Sequence, residues 1–384
     1  MTVAEILANE ELRAHEFPVV REKIFLAHAA VCPLPRRVAE AVAGYARVAA
    51  TGDQERSVLP RVLAEGRELG ARLLGAQPDE VSFVGPTSLA LSLVAGGMRC
   101  RRHDNILVYH DDYPSNVYPW MALADKGVQV RLLNVRELGG IRNIDVLGQV
   151  DEQTRLVALA SCHFVSGARL DHATIGKNLR TRGILFCLDG IQTLGAFPTE
   201  VGGAVDFLAA DAHKWLLGPC AAGLLYVRQA VQERLHPAIY GWHNVRCPNF
   251  VTQDQIELRT GAARFEAGSH NLLGLVGLHA AMELLLEVGV EAIAAELLRK
   301  RAWLIPALQA KGYTVMGAHH GPAQAGGIIS CRHPAMDLPA LHARLDAAGV
   351  VTSLRQDRAG NHYLRLSPHF YNTDAELHRV LELL

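Results

Sequence analysis

The stretch Ile184-Leu-Phe-Cys-Leu188-Asp189-Gly-Ile-Gln192, followed by Val205-Asp-Phe-Leu-Ala-Ala-Asp211-Ala-His213-Lys214-Trp215, decides the fold. Its first five residues are apolar throughout rather than alternating, as a strand covered on both faces requires. Outward from it, similar short runs stand at 105–109, 128–134, 156–161, 207–209 and 223–227, with helix-like pieces such as 115–126 and 172–182 between them. Strands that alternate with helices predict crossover units and a mainly parallel sheet. Before this region, 36–75 reads as helix broken near Thr51-Gly52-Asp53; after Arg228 the alternation gives way to two long helical runs, 271–288 and 290–311. The tail returns to strand-like pieces at 327–332, 350–355 and 363–366, flanked by helices 339–348 and 374–384. The expectation is an α/β fold: a large domain with a mainly parallel, mixed sheet sandwiched by helices, over residues 31–275. A smaller C-terminal α+β domain follows over 276–384, and residues 1–30 form an N-terminal segment that joins it.

Composition narrows the function. The 384 residues carry 38 Lys+Arg against 39 Asp+Glu, a balance that offers no excess of cations for a phosphate backbone and argues against nucleic acid. Unexceptional glycine and proline contents, 34 and 17, exclude a collagenous or low-complexity chain. Seven cysteines stand far apart with no CxxC pair, which predicts reduced thiols rather than disulfides or a structural metal site. No apolar run approaches the roughly 18–20 residues that span a bilayer. The first residues mix charges and lack a basic-then-apolar pattern, so the expected location is the cytoplasm.

Asp189 ends one expected strand and Lys214 follows the next. In an open α/β sheet, ligands bind outside the carboxyl ends of strands, so both side chains can reach one crevice. A lysine and a carboxylate there suit pyridoxal phosphate, the amine for covalent attachment and the carboxylate for the pyridine nitrogen. Either residue by itself reads as a solvated loop lysine or a turn aspartate. Phe83-Val-Gly85-Pro-Thr87-Ser88 opens a helix-like piece, where hydroxyls and free N–H groups form an anion site, or simply a helix cap. Ser161-Cys162-His163-Phe164 puts a histidine after another strand, either flat against an aromatic cofactor ring, or as a catalytic acid or base, or as a buried structural residue. Near the end, Arg365 in Tyr363-Leu-Arg365-Leu-Ser367-Pro-His369-Phe-Tyr371 reads as a carboxylate clamp or a surface ion pair.

Together, and in this order, these features resemble the class V aminotransferase family. These are the fold-type I pyridoxal-phosphate enzymes that include cysteine desulfurases, selenocysteine lyases, kynureninase and isopenicillin N epimerase-like proteins. The resemblance runs from about Ile24 to the C-terminus, and Asp189–Gln192 with His213-Lys214 is its most specific part. Phe25-Leu-Ala-His28, Tyr113-Pro-Ser-Asn116, Gly241-Trp242 and Arg264-Phe-Glu266-Ala-Gly-Ser269 support it. It implies that Lys214 is the Schiff-base lysine, that Asp189 partners the pyridine nitrogen, that Gln192 bonds the ring oxygen and that His163 stacks on the ring. Thr87, Ser88 and His213 would bind the phosphate, with Trp242 also among the cofactor contacts. Ser269 would reach the phosphate of a neighbouring subunit, which implies a homodimer with sites at the interface. Arg365 would bind the substrate α-carboxylate, and His28, Tyr113 and Asn116 are candidates for the substrate side.

One departure bears on the reaction. Cysteine desulfurases of this family carry a nucleophilic loop cysteine shortly before the clamping arginine, whereas Ser353-Leu-Arg355-Gln-Asp-Arg-Ala-Gly-Asn-His-Tyr363 has none, and the nearest upstream is Cys331. The expected activity is therefore a β-eliminating C–S lyase acting on an α-amino acid. An isopenicillin N epimerase-like epimerase or a transaminase is the alternative, and a non-catalytic cofactor-binding module the rival from another class.

Overall fold

The apolar run around Leu185 becomes the centre of a seven-stranded sheet. In the computed structural model, which describes residues 1–56, 58 and 60–384, the first strand is the short β1 (Ile24–Phe25). Then come β2 (Val81–Phe83), β3 (Asn105–Val108), β4 (Gln129–Leu132), β5 (Thr154–Ala160), β6 (Leu185–Asp189), β7 (Phe207–Asp211) and β8 (Gly223–Val227). The sheet order is β2-β8-β7-β6-β5-β3-β4. Only β8 is antiparallel to its neighbours, so the sheet is mixed but mainly parallel, as expected.

Alternate residues of each strand enter opposite cores. Phe186, Leu188, Leu208 and Ala210 join the cluster built with helices Arg36–Ala49, Arg61–Leu74 and Leu272–Val288. Leu185, Cys187, Phe207 and Ala209 join a second cluster with helix Thr87–Gly97 and Trp120. Burial on both faces is why these strands read as continuous apolar runs and not as alternating ones. The expected helix over 115–126 is instead two 3-10 turns around a four-residue α-turn, Tyr118–Met121, and Pro119 removes an amide from the middle of the expected ladder.

The C-terminal part builds its own sheet, β12-β13-β10-β9, from β9 (Thr314–Val315), β10 (Ile329–Arg332), β12 (Ser353–Gln356) and β13 (His362–Leu366). β1 pairs in parallel with β11 (Val350–Val351), and Leu26 belongs to the same third apolar cluster as Leu364 and Leu366. Among the described residues no single helix is long and apolar enough to cross a membrane.

Since β2, β5, β6 and β7 run the same way, the residues that follow them gather at one edge of the large sheet. The small sheet faces that edge through β12 and β13.

Candidate active site

Between the two sheets lies a cavity of about 290 Å³. Lys214, Asp189, Gln192, His213, Thr87, Ser88, Tyr113 and Arg365 all line it. The sequence thus anticipated eight of its side chains from five separate segments.

Lys214 is buried, and its ammonium makes no hydrogen bond among the described residues; it lies 5.2 Å from the centre of the Tyr113 ring. Burial pulls its pKa down to about 8, against the pull of Asp189 in the other direction. Asp189 ends β6 fully enclosed; its Oδ1 accepts one bond, from the Ile191 N–H at 3.0 Å. Its carboxyl is pushed up by burial, then held back by that N–H and by Lys214. Gln192 donates to the Ala29 carbonyl and accepts from the Trp215 indole, which fixes its amide at the cavity wall.

At the other wall, helix Thr87–Gly97 begins with free N–H groups and the positive end of its dipole. Gly85 lets this turn approach β8: a Cβ there would stand 2.6 Å from the Ala221 carbonyl carbon. Thr87 Oγ1 accepts from the Asp211 N–H at 2.9 Å, and Ser88 shares a hydrogen bond with Ser115. His213 Nδ1 donates to Asp211 Oδ2 at 2.6 Å, an arrangement that leaves Nε2 for the cavity.

Four expected contacts are corrected. His28 is fully buried behind the cavity: its Nδ1 meets the Ser367 carbonyl at 2.9 Å and its Nε2 the Tyr371 hydroxyl at 2.6 Å. The bridge Ala27↔Ser367 accompanies this inward position, so the side chain ties the segment after β1 to the one after β13 and does not line the cavity. Burial pushes its pKa down to about 4, and the neutral ring suits one donated and one accepted bond. Asn116 is likewise enclosed, donating to Asp112 and accepting from the Trp120 indole. His163 lies in an adjacent cleft with both ring nitrogens engaged, by Ser166 and the Asp111 carbonyl; Phe164 lines the cavity in its place. Trp242 is half-exposed beside Phe250 and outside the cavity. Ser269 lies in a separate groove between Gly85 and Asn271, away from Lys214 of its own chain.

His28→Ala is expected to lower unfolding free energy by about 2–4 kcal/mol, because the Tyr371 hydroxyl and Ser367 carbonyl lose a buried partner. Urea unfolding measures this. An intact KM for amino acid in the folded variant would agree with the purely structural position of His28.

Sequence reasoning missed Phe164, Asp211 and Arg355. The signal for Arg355 was there: Ser353 pairs with Arg365 across β12 and β13, and a residue two positions further along a strand shares its face.

The polar groups that converge on this cavity match pyridoxal phosphate. A free buried amine, a carboxylate with one backbone partner and a helix start with two hydroxyls and a histidine are its complement. Fold and site together define a fold-type I pyridoxal-phosphate-dependent enzyme. The Aminotransferase class-V model matches residues 24–380, and the chain belongs to that family, with cysteine desulfurases among its relatives. It is 30% identical over 403 aligned positions to a probable cysteine desulfurase of Methanothermobacter thermautotrophicus, covering 98% of each chain. It superposes with a TM-score of 0.87 on the cysteine desulfurase of Thermococcus onnurineus, at 24% identity over 97% of this chain and 96% of the other. A cystine C–S lyase, C-DES, solved with its product cysteine persulfide, gives a TM-score of 0.85 at 20% identity, over 95% and 98% of the two chains.

Proposed function

We propose that the chain is a β-eliminating C–S lyase acting on an α-amino acid, in a homodimer. The observation that carries this reading is the lining of the Lys214 cavity, which brings an amine, Asp189 and Arg365 together and includes no cysteine among the described residues. Cys331, the nearest upstream of Arg365, is buried on β10 and its thiol is pushed up to about 12 by burial, unsuited to attack on sulfur. The β12–β13 turn is tied down instead: Asp357 accepts from the Ala359 and Asn361 amides, and Arg358 pairs with Asp111 at 2.7 Å.

Bound pyridoxal phosphate supplies the electron sink for a carbanion at the substrate α-carbon. Lys214 would hold it covalently, and its Nζ would take the substrate α-proton. Asp189 would face the pyridine nitrogen and favour its protonated form. Gln192 bonds the ring oxygen, and Phe164 offers the aromatic face that the sequence assigned to His163. Thr87, Ser88 and His213 hold the phosphate, His213 oriented by Asp211. Ser269, remote from its own cavity, serves the neighbouring subunit. Arg365 draws the α-carboxylate in, with its Nε buried and unpartnered. In this reading the sulfur substituent would be the leaving group at the β-carbon, departing with the bonding electrons.

A panel of amino acids and cysteine thioethers, assayed for pyruvate, sulfide or thiol, and exchange of the α-proton, tests this. Pyruvate and ammonia formed with thiol release are expected. Solvent deuterium at Cα with neither product would replace the lyase with an epimerase.

A further inference from the structure

Arg355 and Arg365 form a pair that one carboxylate does not explain. Arg365 lies opposite Ser353 across the β12–β13 ladder, and Arg355 lies two residues beyond Ser353, so the arginines are diagonal neighbours on one face. Long side chains in such positions reach each other. Both line the Lys214 cavity. Neither has an ion-pair partner among the described residues. Arg365 donates to the Phe164 carbonyl at 2.7 Å and weakly to Ser353 Oγ at 3.4 Å. Arg355 reaches only the Leu354 carbonyl, at 3.4 Å, and the Nε of each guanidinium is buried without a partner.

Two unpaired guanidiniums side by side repel each other, and taking them out of water adds to the cost. That repulsion is visible at Arg365, whose pKa falls to about 9, chiefly through burial and next through Arg355. Among the described residues the only carboxylate lining the cavity is Asp189, which in this reading serves Lys214 and the cofactor ring. In this reading the cofactor phosphate has its own cradle at Thr87, Ser88 and His213, apart from the two arginines. Arg358, on the same hairpin, is already matched by Asp111. The remaining positive charge faces the substrate side, and one α-carboxylate balances only half of it.

We propose that Arg355 and Arg365 clamp an α-amino acid with two carboxylates, Arg365 holding the α-carboxylate and Arg355 a second one at the end of the side chain. This rests on the reading of the cavity as an amino-acid site. Under the lyase reading the second carboxylate lies on the sulfur substituent, so the substrate is a cysteine conjugate and the acid departs with the thiol.

The test uses holoenzyme and two amine-free acids that cannot react. The diacid 3-(carboxymethylthio)propanoate is compared with the monoacid 3-(ethylthio)propanoate by calorimetry. The diacid is expected to bind at least about 30-fold more tightly, as a desolvated charge pair allows. Arg355→Leu is expected to erase that ratio, while Arg365→Leu weakens both acids; Arg355→Gln serves if the leucine variant does not fold. Equal affinities in the wild type would overturn the clamp. So would an equal loss of both acids in the Arg355 variant, which would mean that the two arginines share the α-carboxylate. Tight diacid binding without turnover of S-carboxymethylcysteine would keep the clamp and reject the lyase. Turnover of S-ethylcysteine with equal acid affinities would do the reverse.

Discussion

Lys214→Ala is expected to abolish covalent cofactor capture and to lower turnover by at least about 10³-fold, since the proposed function gives one amine both tasks, attaching the cofactor and moving the proton. In wild type, borohydride reduction of the yellow holoenzyme is expected to fix the cofactor mass on the Lys214 peptide. The other buried lysine, Lys300, is no competitor: its ammonium is bound to Glu296 and to the Phe370 carbonyl. Lys214 differs in having no such partner, and burial has brought its pKa down from 10.5 to about 8. Only the neutral amine attacks an aldehyde. Capture of added cofactor by stripped protein is therefore expected to accelerate with pH and level off above about 8, rather than near 10.5. The same shift has a stability consequence. The folded protein binds fewer protons than the unfolded chain between about 8 and 10.5, so the Lys214 contribution to stability rises with pH across that window. Cofactor fixed on another lysine, or capture still climbing steeply at pH 10, would remove Lys214 from its role.

How much of this was legible in the sequence depended on whether position alone sufficed. Asp189 and Lys214 could be placed because a residue at the carboxyl end of a parallel strand faces the crevice whatever its rotamer. The same held for Thr87, where a helix start supplies the site through its backbone. His28 and Asn116 were misread because nearness to the site was right and direction was not. His28 turns inward beside a single β-bridge, and Asn116 ends a short 3-10 turn instead of standing on the face of a continuous helix. At Ser161-Cys162-His163-Phe164 the strand ends at Ala160, the residues beyond lose the period of two, and Phe164 rather than His163 meets the cavity. Ser269 lies in a groove apart from the Lys214 cavity of its own chain, and only the proposed homodimer would bring it to a cofactor phosphate.

Asp189→Asn is expected to separate function from stability. Turnover should fall by about 10²–10⁴-fold, because an amide accepts no proton and cannot keep one at the pyridine nitrogen. The cofactor-free protein should meanwhile become more stable at neutral pH, read as a higher unfolding midpoint. Asp189 is 2% exposed, with one backbone donor, and burial raises its pKa above the usual 3.8. A carboxyl raised in the folded state binds its proton more tightly there than in the unfolded chain. Stability is lost as pH climbs from the unfolded pKa through the folded one, and a neutral isostere escapes the loss. Asparagine keeps the volume and can still accept the Ile191 N–H, so no cavity opens to offset the gain. Lys214 supplies an internal check. Asp189 is the strongest influence holding its pKa up, so in the variant the pH at which cofactor capture levels off should move below about 8. Thermal unfolding of the stripped proteins and capture rates against pH measure the two effects on one preparation. A variant that is both less active and less stable, with an unchanged capture profile, would mean that the Asp189 carboxylate is a structural anchor and does not face the cofactor.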